Sequence, residues 1–244
     1  MNSNLANNGL DPEKLPSHIA VIMDGNGRWA RKRLLNRIKG HEKGAETVRM
    51  VVRTCREIGI SYLTLYAFST ENWDRPEKEV NALMGLLKKF LADEKREMME
   101  NGIRLQAIGQ LERLPQDVRA ELDSVLCATA ENSGMCLNLG LSYGGRTEIV
   151  EAVKRLLLQA RDQSLDASAI TPEFFSRFLY TADMPDPELL IRTSGELRVS
   201  NFLLWQIAYS EIHVTSTLWP DLSREELVSI VRDYQNRERR FGRV

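Results

Sequence analysis

A carboxylate, two glycines and an arginine follow one another in residues 23–31, Met-Asp-Gly-Asn-Gly-Arg-Trp-Ala-Arg, directly after the apolar run 19–23. Asp24 would lie at the end of a buried strand, and open α/β sheets bind ligands beyond the carboxyl ends of their strands. Gly25 and Gly27 allow positive φ and a close backbone approach, so bare N–H groups can reach phosphate oxygens. A helix beginning here would direct the positive end of its dipole at the same place. The segment therefore predicts a site for a phosphorylated ligand.

Positive charge is concentrated beside this segment. The 244-residue chain has 33 Lys and Arg against 34 Asp and Glu, yet positions 28–39 hold six basic residues and no acidic one: Arg28, Arg31, Lys32, Arg33, Arg37 and Lys39. A general polyanion binder is expected to be basic as a whole, so the near-neutral chain favours a small anionic ligand over nucleic acid. On this segment alone, a tight surface turn and a solvated basic helix face remain open as alternatives.

Three further polar segments follow predicted strands. They are Phe-Ser-Thr-Glu-Asn-Trp-Asp-Arg-Pro at 68–76, Tyr-Gly-Gly-Arg at 143–146, and the stretch 191–201 with Arg192, Arg198 and several hydroxyl groups. The carboxyl ends of parallel strands meet at one edge of a sheet, so these groups are expected to lie together with Asp24. Paired arginines with hydroxyl groups suit bidentate recognition of a diphosphate.

Strands and helices alternate along the sequence. Apolar runs predict strands at 19–23, 62–68, 103–108, 136–141 and 189–191, and apolar stripes with capping signals predict helices at about 44–58, 76–101, 116–131, 147–162 and 223–239 and a short one after Pro172. This order predicts an α/β fold with a central, mostly parallel β-sheet flanked by helices on both faces. The length favours a single domain at 15–244 after a flexible tail at 1–14.

Composition narrows the class further. No apolar stretch approaches the roughly 20 residues of a membrane span, and the polar N-terminus lacks the features of a signal peptide, so a cytoplasmic protein is expected. Cys55, Cys127 and Cys136 are widely spaced within apolar patterns. They are predicted to be buried, reduced thiols rather than disulfides or metal ligands.

Taken together, these motifs resemble one known family. The chain over 15–242 resembles the cis-prenyltransferases (isoprenyl transferases) of the undecaprenyl diphosphate synthase type. The resemblance rests on Asp-Gly-Asn-Gly-Arg-Trp at 24–29, Gly40-His41, Ser-x-Glu-Asn-Trp-x-Arg-Pro at 69–76, Tyr-Gly-Gly-Arg at 143–146, the arginine and serine pattern of 191–202, Glu211 and Arg-Phe-Gly at 240–242. Two positions depart from the family pattern, which usually has Asn at the place of Ser142 and His or Gln at that of Leu197.

The resemblance implies an activity and an assembly. It implies a homodimer with an elongated apolar tunnel that uses Mg²⁺ to condense isopentenyl diphosphate with an allylic diphosphate, farnesyl diphosphate being the expected primer, and forms Z double bonds. The product would be a long-chain polyprenyl diphosphate such as undecaprenyl diphosphate, a lipid carrier for the cell wall. Contact with the membrane would come through this lipid product, and no nucleic acid is expected to bind.

The resemblance also assigns residue roles. Asp24 would hold Mg²⁺ and assist departure of the allylic diphosphate, Asn72 would act at the reacting centre, and Glu211 would be a second Mg²⁺ ligand. The allylic diphosphate and reacting centre would be contacted by Gly25, Asn26, Gly27, Arg28, Trp29, Arg37, His41, Ser69, Thr70, Glu71, Trp73 and Arg75. Isopentenyl diphosphate would be bound by Arg192, Arg198, Val199 and Ser200. Arg240-Phe241-Gly242 would reach the site across the dimer interface.

Strand periodicity gives candidate positions for the tunnel wall. One face of each of three predicted strands carries an apolar triplet: Leu63, Leu65 and Ala67; Ile103, Leu105 and Ala107; and Met135, Leu137 and Leu139. Ordinary core packing explains each position equally well. The small Ala67 and Ala107 near the strand ends would leave room for a growing chain.

The sequence also bears on other functions that a phosphate site could serve. A nucleotide-dependent kinase or phosphohydrolase would fit the Asp24 turn, but the chain lacks Gly-x-x-x-x-Gly-Lys-Ser/Thr. A short- or medium-chain cis-prenyl diphosphate synthase and a non-catalytic partner subunit are further alternatives, the latter opposed by the presence of Asp24, Arg192, Arg198 and Glu211. An all-helical trans-prenyltransferase is excluded, because no Asp-Asp-x-x-Asp occurs and the pattern is α/β.

Overall fold

The computed structural model describes residues 9–163 and 166–237, which form one six-stranded sheet with helices on both faces. The strands are β1 (His18–Ile22), β2 (Tyr62–Ser69), β3 (Ile103–Ile108), β4 (Met135–Tyr143), β5 (Leu189–Arg192) and β6 (Glu211–Val214). Their order in the sheet is β3-β4-β2-β1-β5-β6, and every neighbouring pair is parallel. This confirms the predicted fold class.

Seven α-helices are described: α1 (Asn26–Lys32), α2 (Arg37–Ile58), α3 (Glu77–Glu100), α4 (Gln116–Thr129), α5 (Gly145–Gln163), α6 (Pro172–Ser176) and α7 (Arg224–Gln235). The helix α2 shows why the sequence folds in this way. Its Val51, Cys55 and Ile58 form a buried stripe, and Gly59 ends the helix with φ +91° in the left-handed region that favours glycine.

The sheet separates two cores, because neighbouring side chains of a strand point to opposite faces. Ile19 and Val21 of β1 belong to the larger core, which is completed by apolar side chains of α2, α3, α4 and α7. Ala20 and Ile22 of β1 belong to a smaller core with Tyr143, Leu190, Phe202 and Leu203. All five residues of β1 and all nine of β4 are buried, as expected for parallel strands that are covered on both faces.

The structure differs from the sequence prediction at several element boundaries. Strand β6 was not predicted, since it has four residues and none of them is fully buried. Helix α2 begins at Arg37 rather than at about 44, because Gly40 and Gly44 lie inside it at a close crossing with α1. Cys127 is exposed and not buried as predicted, whereas Cys55 and Cys136 are buried.

Leu10, which falls in the predicted tail 1–14, is buried in the larger core, and the backbone N–H of Asp11 donates to the side chain of Gln235 at 3.1 Å. Ordered packing therefore begins before residue 15.

Within residues 9–163 and 166–237, no helix combines the length and the apolar character that a membrane crossing requires.

Candidate active site

Asp24 lies just beyond the end of β1, among three arginines. Its Oδ2 atom accepts a hydrogen bond of 2.9 Å from Arg192 and lies 3.2 Å from Arg28 Nη2 and 3.9 Å from Arg198 Nη2. Burial opposes ionisation of this carboxyl, but the hydrogen bond from Arg192 and the charge of Arg28 outweigh it, so the pKa of Asp24 lies below its usual value. Asp24 is therefore an ionised carboxylate at neutral pH.

The backbone around Asp24 is held by the neighbouring strand and by a returning loop. Parallel pairing of β1 with β5 places Ile22 level with Arg192, and the carbonyl of Asp24 accepts hydrogen bonds from Trp219 N at 3.0 Å and Thr193 Oγ1 at 2.6 Å. Gly25 follows with φ +110°, and a Cβ there would lie 3.1 Å from the Cα of Leu218. Glycine is thus required at this position, as the sequence predicted.

Helix α1 continues from this turn and carries four of the predicted residues: Asn26, Gly27, Arg28 and Trp29. The Asn26 side chain donates to the carbonyl of Met23 at 3.3 Å, while its buried Oδ1 has no hydrogen-bond partner among the described residues. Arg28 donates to the Glu196 carboxylate at 2.8 Å and to the carbonyl of Ser194 at 3.1 Å. Trp29 points elsewhere, since its indole N–H donates to Asp221 at 2.6 Å.

A second cationic cluster surrounds one carboxylate at the start of α3. Glu79 Oε1 lies 3.2 Å from Arg37 Nε, 2.9 Å from Arg75 Nη1 and 3.6 Å from His41 Nε2. The Glu79 side chain is only 11% exposed. Burial and the charge of Arg75 lower the pKa of His41 to about 4, although Glu79 opposes this shift. The cluster thus places Arg37, Arg75 and an imidazole that is neutral at pH 7 around Glu79.

The polar segment after β2 folds into a 3₁₀ turn, Thr70–Asp74. The Asn72 side chain accepts a hydrogen bond of 3.2 Å from the Ser69 N–H and closes a capping box with the Ser69 side chain. The Trp73 indole donates to Ser142 Oγ at 2.9 Å, so the residue that departs from the family pattern has a defined partner. Thr70 and Glu71 face the loop after β5, where Asn201 donates to Glu71 at 2.9 Å.

The loop after β5 is organised by Arg192, whose side chain is 4% exposed. Its Nη1 atom donates to the carbonyl of Arg198 at 2.5 Å and to Ser200 Oγ at 2.7 Å. Four residues of this loop that are not glycine have positive φ: Ser194 at +78°, Ser200 at +48°, Asn201 at +62° and Leu203 at +46°. Such backbone strain persists only where surrounding structure fixes it, and it often marks a functional loop.

The exposed part of this loop carries two more of the predicted residues. The Arg198 side chain is 56% exposed and donates to Glu196 at 2.5 Å. Val199 is half-buried and packs against the smaller core. Residues at or after the carboxyl ends of β1, β2 and β5 line one polar depression: Asp24, Ser69, Glu71, Asn72, Arg75, Arg192, Arg198, Ser200 and Asn201.

An apolar cavity of about 210 Å³ adjoins the polar edge. Its wall consists of sheet, α2 and α3 residues, while Asp24, Arg37, His41, Asn72 and Arg75 line its mouth. Of the predicted tunnel positions, three line this cavity: Leu65, Ala67 and Leu139. The other six predicted strand positions do not line it. Ala107 packs against the larger core, and five are buried in it: Leu63, Ile103, Leu105, Met135 and Leu137. The apolar wall is completed by Ala45, Val48, Leu83, Leu86, Leu87, Phe90 and Trp219.

Glu211 is placed apart from these residues. It is the first residue of β6 and pairs with Leu189 of β5. At the carboxyl ends of these two strands, on the edge of the sheet where Asp24 lies, the paired residues are Arg192 and Val214. Three strand residues, about 10 Å, separate the two levels along the sheet. The Glu211 carboxylate lies 2.8 Å from Arg237. A single chain therefore does not bring Glu211 to Asp24, and the predicted segment 240–242 lies outside the described residues.

Hard oxygen ligands at the site suit Mg²⁺ better than a softer metal. The described residues contain no group of three or more His, Cys, Asp or Glu side chains that could hold a metal ion. Mg²⁺ is commonly bound through one or two carboxylates together with substrate phosphates, rather than by an all-protein cage. Asp24, a single ionised carboxylate between two groups of arginines, fits that mode of binding.

Sequence reasoning missed two side chains of the site. Glu79 has no predicted role, although it follows Arg75 by four residues, the spacing at which opposite charges meet on a helix. Asn201 belongs to the motif at 191–202 but has no predicted role of its own. It ties two loops together, because its Nδ2 donates to Glu71 and its Oδ1 accepts from the backbone N–H of Arg146 at 2.9 Å.

Comparison with known proteins identifies the family. The family model described as putative undecaprenyl diphosphate synthase matches residues 22–242. The isoprenyl transferase of Heliobacterium mobile is 54% identical over 96% of this chain and 90% of its own length, and that of Geobacter sulfurreducens is 52% identical over 97% and 96%.

Solved structures agree with this result. The lavandulyl diphosphate synthase of Lavandula x intermedia, determined in complex with dimethylallyl diphosphate, has a TM-score of 0.91 and 33% identity over 94% of this chain and 99% of its own. A probable undecaprenyl diphosphate synthase from Campylobacter jejuni has a TM-score of 0.77 and 37% identity over 93% and 99%.

The α/β fold that holds this site is thus shared with solved structures of a lavandulyl diphosphate synthase and a probable undecaprenyl diphosphate synthase. The chain belongs to the undecaprenyl diphosphate synthase family of prenyltransferases. It is accordingly an isoprenyl transferase, as the sequence motifs indicated.

Proposed function

We propose that the protein condenses isopentenyl diphosphate with an allylic diphosphate, farnesyl diphosphate being the expected primer, and releases a long-chain polyprenyl diphosphate such as undecaprenyl diphosphate. One observation carries this proposal: two arginine groups flank Asp24, and an apolar cavity of about 210 Å³ opens beside them. Two diphosphates need two cationic subsites, and a growing hydrocarbon needs an apolar one. The same proposal includes the use of this product as a lipid carrier for the cell wall.

The residues divide between two diphosphates. The allylic diphosphate would lie at the mouth of the apolar cavity, against Gly25, Asn26, Gly27, Arg28, Arg37, His41 and Arg75, so that its hydrocarbon enters the cavity. Isopentenyl diphosphate would be bound by Arg192, Arg198, Val199 and Ser200 in the polar depression on the other side of Asp24. Planar guanidinium groups suit this task because each can donate two parallel hydrogen bonds to a phosphate.

The chemistry explains why cations surround the site. Departure of the allylic diphosphate leaves negative charge on its oxygens and positive charge on carbon, so fixed guanidinium groups lower the barrier where charge develops. Mg²⁺, when bound through Asp24 and phosphate oxygens, would supply further stabilisation of the leaving group. The apolar wall beside the mouth excludes water from the carbocation.

Asn72 is proposed as a positioning residue at the reacting centre, with Ser69, Thr70, Glu71 and Trp73. An amide is a poor base, so the proton lost from carbon in the last step would pass to the released diphosphate or to a bound water. The capping hydrogen bond from Ser69 N to Asn72 Oδ1 fixes the amide orientation, leaving its N–H₂ group free to donate to substrate.

A homodimer is proposed from the exposed apolar surface. Val150, Val153 and Leu157 of α5 are 53%, 42% and 61% exposed and recur at helical spacing. The edge strand β6 exposes Ile212 at 43% beside Glu211. Since a single chain keeps Glu211 from Asp24, a role for Glu211 in binding Mg²⁺ requires that it serve the site of a second copy.

Mixed dimers test this arrangement. Asp24→Ala and Glu211→Ala chains, each carrying a different affinity tag, are expected to be nearly inactive as homodimers. The doubly purified mixed dimer is expected to recover about half of the wild-type turnover, because one of its two sites combines an intact Asp24 with an intact Glu211. A mixed dimer as inactive as its parents would show that each site uses both residues of one chain or that Glu211 has another role.

The activity itself is tested by incubating the purified protein with labelled isopentenyl diphosphate, Mg²⁺ and allylic primers of several lengths, followed by sizing of the products. Long cis-polyprenyl diphosphates are expected. Products that stop after one or a few additions would establish a short- or medium-chain synthase instead. Absence of turnover in the purified protein would support the non-catalytic subunit.

Ala67→Leu is expected to shorten the product. Ala67 lines the cavity beside Leu65 and Leu139, so the larger side chain would meet the growing hydrocarbon while the first condensation proceeds normally. Product length and melting temperature are measured together. Ala107→Leu is the matched control, because Ala107 packs against the same core without lining the cavity. Unchanged length in a destabilised Ala67→Leu protein, through overpacking of roughly 1–3 kcal/mol, would show that the hydrocarbon does not pass Ala67.

A further inference from the structure

The connection between α1 and α2 presents two leucines to solvent beside a group of cations. We define residues 31–35 (Arg31, Lys32, Arg33, Leu34 and Leu35) as the basic tip. Leu34 is 97% exposed and Leu35 is 45% exposed. We propose that the basic tip docks on an anionic lipid bilayer, with the two leucines entering the headgroup region and the cations contacting the lipid phosphates.

The backbone conformation of Leu34 is the first argument. Its φ is +55°, in the left-handed region that favours glycine. The conformation is fixed by hydrogen bonds from Leu34 N to Arg31 O at 3.1 Å and from Leu35 N to Ala30 O at 2.9 Å. A leucine is therefore held in a strained conformation without burying its side chain. Strain of this kind is commonly retained at sites that bind something.

The positive charges of the basic tip favour an anionic partner. Arg31 and Lys32 are exposed and form no ion pair with any described residue. Arg33 is held beside them, stacked 4.2 Å above the Trp29 ring and 3.1 Å from Asp221. Exposed apolar side chains combined with Lys and Arg are typical of surfaces that bind anionic membranes, because the cations are attracted to negative headgroups while the apolar groups enter the interface.

Position is the third argument. Arg31, Leu34 and Leu35 line a groove of about 430 Å³ whose other wall includes Asp24 and Arg37. The basic tip thus borders the site proposed for the allylic diphosphate. Resting on that proposed function, docking would hold the mouth of the site at the bilayer, where a long polyprenyl chain is soluble and its diphosphate meets water.

Binding of the full-length protein to vesicles tests the proposal. The probes are vesicles of phosphatidylcholine alone and of phosphatidylcholine with phosphatidylglycerol, and the readout is the partition coefficient from co-sedimentation at low salt. Wild type is expected to bind only the anionic vesicles and to lose binding as salt is raised. The double variant Arg31→Gln, Lys32→Gln is expected to lose about 25-fold in partition, roughly fivefold per cation.

Leu34→Gly separates docking from structure. Glycine relieves the positive φ, so the melting temperature is expected to be equal or higher, while the partition coefficient falls about tenfold because an apolar side chain is lost. Met99→Ser and Lys89→Glu, exposed residues of α3 outside the basic tip, are the controls and are expected to bind as wild type.

Three outcomes would overturn the proposal: equal binding to neutral and anionic vesicles, unchanged partition in the Leu34→Gly and Arg31→Gln, Lys32→Gln variants, or absence of binding by the wild type. The vesicle assay uses no substrate, and the condensation assay can be run in detergent with a water-soluble primer. Failure of docking is therefore distinguishable from failure of the proposed reaction.

Discussion

Asp24→Ala should reduce turnover by about 10²–10³ or more while the protein remains folded, since removal of a single group that stabilises developing charge typically costs this much. The carboxylate lies at a strand end, is only partly buried and contributes no apolar packing. Its loss leaves Arg192 bonded to the carbonyl of Arg198 and to Ser200 Oγ, so the loop after β5 keeps its anchor. Turnover is measured at saturating Mg²⁺ and substrates, with melting temperature as the check on folding.

Asp24→Asn is the matched control for this prediction. The amide oxygen can still accept the hydrogen bond from Arg192, but it lacks the negative charge that Mg²⁺ and the surrounding arginines require. Both variants are expected to be nearly inactive, with Asp24→Asn closer to wild type in stability. Near-normal turnover in either variant would remove Asp24 from the proposed metal site.

The sequence predicted which loops meet but not how they meet. Alternating strands and helices place every loop that follows a strand at one edge of the sheet, which was sufficient to gather Asp24, Asn72 and Arg192. Strand order does not follow from alternation. The contact of 2.9 Å between Arg192 and Asp24 depends on β5 pairing directly with β1. These two strands are neighbours in the sheet although most of the chain lies between them in the sequence.

The features that sequence reasoning missed are those decided by tertiary contacts. Strand β6 has four partly exposed residues, so it lacks the apolar run that reveals a buried strand. Its register is what separates Glu211 from Asp24. Glu79 reads as an ordinary charged residue in a helical first turn, yet packing of α3 against α2 makes it the common partner of Arg37, Arg75 and His41.

The predicted tunnel positions also depended on tertiary packing that strand periodicity does not show. Strand periodicity distinguishes the two faces of a sheet, but it does not tell where helices pack closely and where they leave space. Three of the nine predicted positions, Leu65, Ala67 and Leu139, line the cavity together with side chains of α2 and α3. The other six pack in or against the larger core, although their periodicity is the same.

Gly40→Ala should cost about 2–3 kcal/mol of stability, a large effect for the addition of one methyl group. Gly40 is buried at the crossing of α1 and α2. A Cβ there would lie 2.1 Å from the carbonyl oxygen and 2.8 Å from the carbonyl carbon of Asn26. These are backbone atoms, so no side-chain rotation relieves the clash, and α1 must move away from α2 together with Gly27 and Arg28.

Gly85→Ala is the matched control, because Gly85 lies inside α3 and a Cβ there would meet no atom within 4 Å. Replacing a helical glycine with alanine normally stabilises a protein by roughly 0.5–1 kcal/mol, so the two substitutions should shift stability in opposite directions. Both are compared by denaturant unfolding, with the KM for the allylic primer as a second readout. Gly40→Ala should also raise this KM, because the displaced α1 carries part of the diphosphate site. Stabilisation of Gly40→Ala similar to that of Gly85→Ala would mean that α1 and α2 do not cross at this distance, and that the placement of Asn26 beside the site needs revision.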